Sequence, residues 1–496
     1  MSTSTSEPSP FVRRWLALAL GSLLLAGLLS LSVVLGRLPG LSRIIDDPLF
    51  FKRCLVVHVD LALVVWFYAF ASALAALRAS TRSGPPEKLA FAAAVLGVLG
   101  LCSGGLVRGA LPVLANYVPV IDHPFFLGGL ALFFLGVLTF ALRTVARPAA
   151  RVSGGLPDDA AVGVQACGVV LVLAGVTWLS ARVALPAGLE RHTFFEFSHW
   201  GAGHVLQVAN VCAMLAVWLW LLDLATGRPL LSARAARRLF AVLIAPHFVM
   251  PLLSWRGALH RDYIEGATLL MRWGIFPVVL FTFFLGVRHL RRHRAATNAA
   301  PADSLARLAR AGFSASAGLT LLGFVLGAMI RGSTTLVPAH YHASLGGITA
   351  SFMAATYLLV KLFACDTAPA SATVAAAVAL FDAKRWRSAR RQLVCFGVGQ
   401  AVFALGFAIG GAYGLGRKTY AGEQHIRSLG EQIGLGVMGL GGLFAAAGGV
   451  WFLVLVLRPV FARRPATMSP AITNALPASA PQSAAATASA PFPASS

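Results

Sequence analysis

Two histidines lie one residue apart inside an apolar stretch of the chain, and imidazole is a side chain that binds metals and hemes. His340 and His342 belong to the segment LVPAHYHASLGGIT, residues 336–349. If this segment is a helix, residues two apart point about 200° away from each other. The pair therefore predicts a helix that presents one imidazole on each of two opposite faces. The alternative is that both imidazoles form hydrogen bonds with neighbouring helices.

The composition indicates a membrane protein rather than a soluble one. Of the 496 residues, 57% are hydrophobic and 12% are charged, whereas a soluble domain carries about 25% charged residues. A bilayer is crossed by about 20 apolar residues in a helix. We therefore predict an all-α polytopic fold with twelve transmembrane helices, at 11–36, 52–77, 88–107, 122–145, 161–184, 194–222, 237–254, 263–287, 311–330, 336–362, 392–414 and 433–457.

The charged residues predict the topology and exclude one class of partner. The formal net charge is +23, but Arg and Lys lie in short clusters between the apolar segments, which argues against nucleic acid and follows the positive-inside rule. Both termini are therefore predicted to lie in the cytoplasm. Residues 1–10 and the Ala/Pro/Ser-rich residues 466–496 are predicted to be disordered, and residues 11–458 form the membrane domain. The six cysteines lie almost all in apolar runs without CxxC spacing, so neither a disulfide framework nor a cysteine metal site is expected.

Three further histidines are set into apolar helices at a similar depth. His58 lies in the second predicted helix, His204 in the sixth and His247 in the seventh. With the pair in helix ten, each is predicted very roughly 10–15 Å below the outer surface at 1.5 Å per residue. Ionisable side chains inside a membrane are rare and usually functional, so these five histidines predict one functional layer.

Four motifs, three of which contain histidines of this layer, resemble subunit I of the heme–copper oxidase superfamily, over about residues 11–458. They read CLVVHVDLALVVWFYAF, NYVPVIDHPFF, FEFSHWGAGHVLQVAN and VPAHYHASLGG. The resemblance implies that His58 and His342 are the axial ligands of a low-spin heme and that His340 is the proximal ligand of a high-spin heme. His204 would then help to hold a second metal, either copper or non-heme iron. The two glycines just before His204 are predicted to leave room for a bulky planar group.

The chain departs from the family pattern at the second metal. Where the family has two adjacent histidines at the outer end of helix seven, this chain has Ser254 and Trp255. His247 and His260 are the remaining candidates for that metal, and we rank His247 first because its level in helix seven matches that of His204. The position one turn after His204, where oxygen reducers carry a tyrosine, is Val208.

The resemblance implies a multi-pass respiratory oxidoreductase of the bacterial inner membrane, which passes electrons from the low-spin heme to the high-spin heme, where O2 is reduced. His340 and His204 would be its catalytic residues, cytochrome c or quinol its electron donor, and further oxidase subunits its partners. Nitric oxide reduction at a non-heme iron site is the first alternative, because the tyrosine and the histidine pair are missing. A heme sensor or carrier without turnover is the second. A transporter that uses histidines for proton coupling is the third, but it does not explain the spacing of His340 and His342.

Two carboxylates lie in or beside the apolar segments. Asp60 falls in helix two and Asp122 precedes helix four. A buried carboxylate either belongs to a proton path or pairs with a cation. We favour pairing with a nearby arginine for both.

Overall fold

The computed structural model describes residues 9–35, 47, 49–78, 84–146, 155–293, 300–365, 372–417 and 428–461. Within them the fold is all-α, as predicted, with twelve helices that are long and apolar enough to cross a membrane. The predicted disorder of residues 466–496 and of most of residues 1–10 lies outside the described residues.

The twelve helices are numbered in chain order. They are α1 Pro10–Leu35, α2 Phe50–Arg78, α3 Pro85–Leu106, α4 Pro124–Ala146, α5 Asp158–Ala184, α6 Arg191–Thr226, α7 Ala233–Arg256, α8 Arg261–Arg292, α9 Ala300–Ala328, α10 Leu336–Cys365, α11 Ala372–Ala412 and α12 Leu429–Phe461. Helix α11 begins at Ala372, whereas the predicted membrane span begins at residue 392. The basic residues between these two positions exclude a membrane span but do not prevent a helix.

Successive helices run in opposite directions, so the bundle has two distinct ends. At one end, Arg13 Nε of α1 donates to the carbonyl of Val460 of α12 over 2.7 Å. At the other end, the start of α2 meets the end of α3 where Arg53 Nε donates to the carbonyl of Gly105 over 3.1 Å. We call the end at which α2, α6 and α10 begin the histidine end, and the opposite one the basic end.

The helices that carry most of the predicted ligands are the most buried ones. In their membrane-spanning windows, 94% of the residues of α6 are buried, 83% of α10 and 72% of α2, against 28 to 61% in the other nine spans. Phe352 of α10 stacks on Phe70 of α2 with ring centroids 4.3 Å apart. Trp218 of α6 donates from Nε1 to Ser316 Oγ of α9 over 2.8 Å. The sites therefore lie at the centre of the bundle.

Three helices lose their regular α geometry beside a predicted ligand. A π-helical segment, Asp60–Val65, follows directly after the α-helical segment Phe50–Val59 that contains His58. His247 lies in the 3₁₀ segment Ala245–Val249 of α7, and α8 is π-helical over Met271–Ile275. Interruptions of this kind are frequent at functional sites. They change which way the neighbouring side chains point, which hydropathy alone does not reveal.

A short hairpin connects α3 to α4 at the histidine end. Strand β1, Leu111–Val113, pairs antiparallel with β2, Val120–Asp122, with Leu111 opposite Asp122 and Val113 opposite Val120. The sequence analysis did not predict these strands. They matter because the loop between them, residues 114–119, reaches the first turns of α6.

Candidate functional site

His58 and His342 are brought together from α2 and α10. His58 Nδ1 lies 2.8 Å from the carbonyl oxygen of Ala26 in α1. The ring of His342 stacks on Phe407 of α11, with centroids 5.3 Å apart and planes at 7°, and meets the edge of Phe403 at 4.8 Å. The two helices touch where Phe352 stacks on Phe70, and both histidines lie at similar levels on the histidine-end side of that contact. These are the two residues to which the resemblance assigns the low-spin heme.

His340 points to a different neighbour, helix α9. Its Nδ1 lies 2.7 Å from the carbonyl oxygen of Gly323. Gly327, one turn further along α9, packs directly against the ring, and a Cβ atom added there would lie 2.6 Å from Nδ1. His340 and His342 therefore face α9 and α11 respectively, as their spacing predicts.

His204 is 3% exposed, and both of its ring nitrogens are engaged. Nδ1 lies 2.7 Å from the carbonyl oxygen of Trp200, and Nε2 lies 2.8 Å from the phenol oxygen of Tyr117. Because a carbonyl oxygen only accepts, Nδ1 carries the proton and Nε2 accepts from the Tyr117 hydroxyl. The lone pair that would bind a metal thus faces a phenol.

His247 is 1% exposed and has one unsatisfied ring nitrogen. Nδ1 lies 3.1 Å from the carbonyl oxygen of Leu243, whereas Nε2 is buried without a hydrogen-bond partner. The ring packs on Gly274 in the π-helical segment of α8, where a Cβ atom would lie 2.7 Å from Cε1. A buried polar atom without a partner costs stability unless a ligand, ion or water satisfies it. His247 lies in the part of α7 that meets α6 near His204, because Met250, three residues after His247, packs against Gly201, three residues before His204.

Four of the six candidate ligands share one arrangement at the ring. In His58, His204, His247 and His340, Nδ1 is bonded to a backbone carbonyl, which leaves Nε2 as the nitrogen with a lone pair. Metal-ligating histidines usually donate their other N–H in this way, which fixes the tautomer and the ring orientation. For His204 and His247 the acceptor lies four residues back in the same chain, a bond that His199 also makes. The bonds of His58 and His340 to neighbouring helices are the more distinctive ones, and they fit heme ligation.

His260 is not brought to this site. It precedes α8 as its N-cap, where Nδ1 accepts a hydrogen bond from the backbone N–H of Asp262 over 3.2 Å, and its side chain is 60% exposed. Trp255 is exposed, and Ser254 Oγ bonds within its own helix to the carbonyl of Met250. Beside His204 the structure has His247 and not His260.

The His204–His247 pair is small for a metal site. Among the described residues, no group of three or more His, Cys, Asp or Glu side chains is arranged to hold a metal ion. Metal sites in enzymes usually have at least three protein ligands. An ion between these histidines would therefore need a donor of another residue type.

The two carboxylates behave differently from each other. Asp122 forms an ion pair with Arg191, at 2.5 Å, which confirms the predicted pairing. Asp60 is fully buried and neither carboxylate oxygen has a hydrogen-bond partner, so the predicted pairing with arginine is wrong for this residue. The arginine nearest in sequence, Arg53, is engaged with Asp47 instead.

Tyr117 is the functional candidate that sequence reasoning missed. Its ring fills the space at Gly203, where a Cβ atom would lie 2.3 Å from the tyrosine Cβ, while the ring of Tyr263 fills the space at Gly201. The room predicted beside His204 for a planar group is thus taken by two tyrosines. Tyr117 and His204 are 87 residues apart, and no spacing rule connects them. The only sequence signal was the pair of glycines.

Comparisons with known proteins support this fold. No family model matches the chain. Its structure is similar to a chain in the work described as "Cryo-EM structure of a heme-copper terminal oxidase dimer provides insights into its catalytic mechanism", with a TM-score of 0.64 over 92% of this chain and 84% of that one. The sequence identity is 16%, so the similarity shows the fold alone. The fold is therefore that of a heme–copper terminal oxidase chain.

Two relatives match in sequence, and both carry only the description of uncharacterized proteins. Uncharacterized protein RP382 of Rickettsia prowazekii (strain Madrid E) is 24% identical over 521 residues, 93% of this chain and 98% of the relative. A protein of Aquifex aeolicus (strain VF5) is 31% identical over 355 residues, 70% of this chain and 84% of the relative. By this similarity, the chain belongs to the same family as the Aquifex aeolicus protein.

Proposed function

We propose that the protein is a heme-containing respiratory oxidoreductase of the terminal-oxidase type, which reduces O2 in a bacterial inner membrane. His58 and His342 would hold a low-spin heme, and His340 a high-spin heme. The observation that carries the proposal is the geometry of α10, where His340 faces α9 while His342 faces α11. When bound, such hemes supply one-electron transfer at the closed bis-histidine iron and substrate reduction at the iron with an open position.

The protein's own side chains would orient the groups and keep the site neutral. Neutral imidazole ligates iron or copper without bringing charge into the membrane. The carbonyls of Ala26 and Gly323 hold the Nδ1 protons of His58 and His340, so each Nε2 is left free to ligate. The phenylalanines of α11 support the ring of His342 in the same way, by packing rather than by a hydrogen bond.

Tyr117 favours O2 over nitric oxide as the substrate. The resemblance associates oxygen reduction with a tyrosine near the second metal, and Val208 does not supply it. The phenol of Tyr117 lies 2.8 Å from His204 Nε2 and offers the same group from a different part of the chain. Nitric oxide reduction with a non-heme iron stays the alternative, because Ser254 and Trp255 still replace the histidine pair. If the protein binds heme but reduces neither O2 nor nitric oxide, it is a heme sensor or carrier.

Electron donors and partners follow from the same proposal. Cytochrome c or quinol would deliver electrons, and further oxidase subunits would accompany the chain in the lipid bilayer. Both are inferred from the oxidase-type fold and not from a surface of this chain.

Turnover of the purified protein tests the proposal. O2 uptake should be measured with ascorbate and a redox mediator as reductant, and nitric oxide uptake under anaerobic conditions with the same reductant. We expect O2 uptake that His340→Ala abolishes and that His199→Ala, a change to another histidine of α6, leaves intact. Uptake of nitric oxide without O2 would favour the alternative substrate. Bound hemes without either activity would mean a sensor or carrier.

A further inference from the structure

We propose that Tyr117 is the third protein ligand of the metal ion held by His204 and His247, through its phenol oxygen. The second metal site of this chain would then consist of two imidazoles and one phenolate, the phenolate coming from the loop between β1 and β2. The proposal rests on the function proposed above, because the ion would be the second metal of that oxidoreductase. It does not require that the hemes be present.

The separation of the two donor atoms fits ligation of a single ion. The phenol oxygen of Tyr117 lies 2.8 Å from Nε2 of His204. Two atoms that bind one ion at right angles, each at about 2 Å, lie about 3 Å from each other. The hydrogen bond therefore already holds both atoms at the distance that they would keep on one metal. Metal binding would replace the phenol proton, which is released to water, as ligand protons generally are.

The position of Tyr117 is held by contacts that do not involve the hydroxyl. Its ring packs on Gly203 and meets the ring of Trp200 edge to face, with centroids 5.8 Å apart. The preceding residue, Asn116, donates from its backbone N–H to Glu196 over 2.9 Å and from its side chain to the same carboxylate. The phenol oxygen is thus aimed at His204 by the fold of the loop, a preorganisation expected for a ligand.

His247 offers a buried nitrogen as the third donor of this site. Its Nε2 is buried without a partner, although Nδ1 is bonded and the ring is packed against Gly274. Met250, three residues after His247, packs against Gly201, three residues before His204, so this part of α7 lies against α6 near His204. A metal ion at His204 and Tyr117 would give this nitrogen a partner, and it would raise the number of protein ligands from two to three. Three protein ligands leave a coordination position open for substrate.

The chemistry of phenolate suits this setting. A cation between two neutral imidazoles would remain uncompensated in a buried site, and buried charges need a partner. One phenolate offsets one unit of that charge without a further carboxylate. Iron accepts such a ligand, as the tyrosinate of catalase shows.

The test compares Tyr117→Phe with Tyr263→Phe in the full-length protein. Both changes remove one buried phenol that lies against a glycine of α6, and the phenylalanine ring keeps the packing in each case. Iron and copper not bound in heme should be counted per chain, and binding of added Fe²⁺ or Cu²⁺ titrated. We expect Tyr117→Phe and His247→Ala to weaken metal binding at least tenfold and Tyr263→Phe to leave it unchanged. Wild-type metal affinity in Tyr117→Phe would overturn the proposal.

A spectroscopic readout does not depend on any variant. Resonance Raman spectra of the iron-loaded wild-type protein should contain phenolate vibrations, and these should shift when the protein is grown with ring-deuterated tyrosine. Absence of these bands in a sample that binds the metal would contradict ligation by tyrosine. Hemes without any non-heme metal would overturn this inference and leave the proposed function standing. Metal bound through tyrosine in a protein without hemes would support this inference and overturn the proposed function.

Discussion

His340 and His342 are separated by a single residue and contact different helices, His340 at the carbonyl of Gly323 in α9 and His342 at the ring of Phe407 in α11. Helix α10 therefore stands between two sites rather than within one. Helix α2 contributes to one of them through His58. Helices α6 and α7 contribute His204 and His247, and these helices meet near both histidines where Met250 packs against Gly201.

Removal of either member of the His58–His342 pair should eliminate the low-spin heme alone. Because the ring of His340 faces α9, neither His58→Ala nor His342→Ala alters its contacts. The reduced-minus-oxidised spectrum should lose the bis-histidine band in both variants and keep the high-spin heme. His199→Ala is the control, since His199 bonds to Phe195 in its own helix. An unchanged low-spin spectrum in both variants would contradict the assignment of His58 and His342 to the low-spin heme.

A methyl group at Gly327 should displace His340. The added Cβ atom would lie 2.6 Å from His340 Nδ1, too close for a non-bonded contact, so the ring or the helix must shift. Overpacking of this kind costs about 1–3 kcal/mol. We expect Gly327→Ala to lose most of the high-spin heme and to lower the unfolding temperature. Gly318 lies on the same helix, and a Cβ atom added there would have no neighbour within 4 Å. Gly318→Ala should therefore behave like the wild type. Equal heme content in both variants would show that His340 is not held as described.

The ion pair at the start of α2 should make stability depend on pH in the acid range. The hydrogen bond from Arg53 holds the pKa of Asp47 below its usual value. A carboxyl whose folded pKa is lowered stabilises the fold above its unfolded pKa of about 3.9, and this contribution is lost as pH falls through the folded pKa. The unfolding temperature should therefore fall more steeply with acidification in the wild type than in Asp47→Asn. Asp262→Asn, at the exposed start of α8, should follow the wild type. Identical pH profiles for the wild type and Asp47→Asn would contradict the role of the pair.

The predicted orientation places the histidine end outside the cytoplasm. In a cysteine-free background, His260→Cys and His293→Cys introduce one thiol at each end of α8. A membrane-impermeant maleimide should label His260→Cys in intact spheroplasts and His293→Cys only after lysis. The reverse pattern would mean that the N-terminus lies outside.

The sequence predicted the elements of the fold better than the contacts between them. Twelve spans follow from hydropathy because each helix must be apolar over a bilayer thickness, and the opposite directions of His340 and His342 follow from the helical period. The predicted pairing of Asp60 is wrong because its carboxylate is buried in the core, in a π-helical segment that no hydropathy pattern marks.

The contact between Tyr117 and His204 could not be predicted from the sequence for a different reason. It depends on a hairpin loop that folds over α6, and tertiary contacts of this kind have no local sequence signal beyond the small residue that makes room for them. His260 is a similar case. Its position just beyond α7 was compatible with a loop that returns to the site, whereas the structure uses it as an exposed cap of α8.

The heme content of the purified wild-type protein tests the central claim most directly. The chain should be isolated from membranes, its heme iron counted per chain, and its reduced-minus-oxidised spectrum recorded. We predict two hemes per chain, one with the low-spin spectrum of bis-histidine ligation and one high-spin heme that binds carbon monoxide when reduced. A protein that is folded and contains no heme would contradict the account.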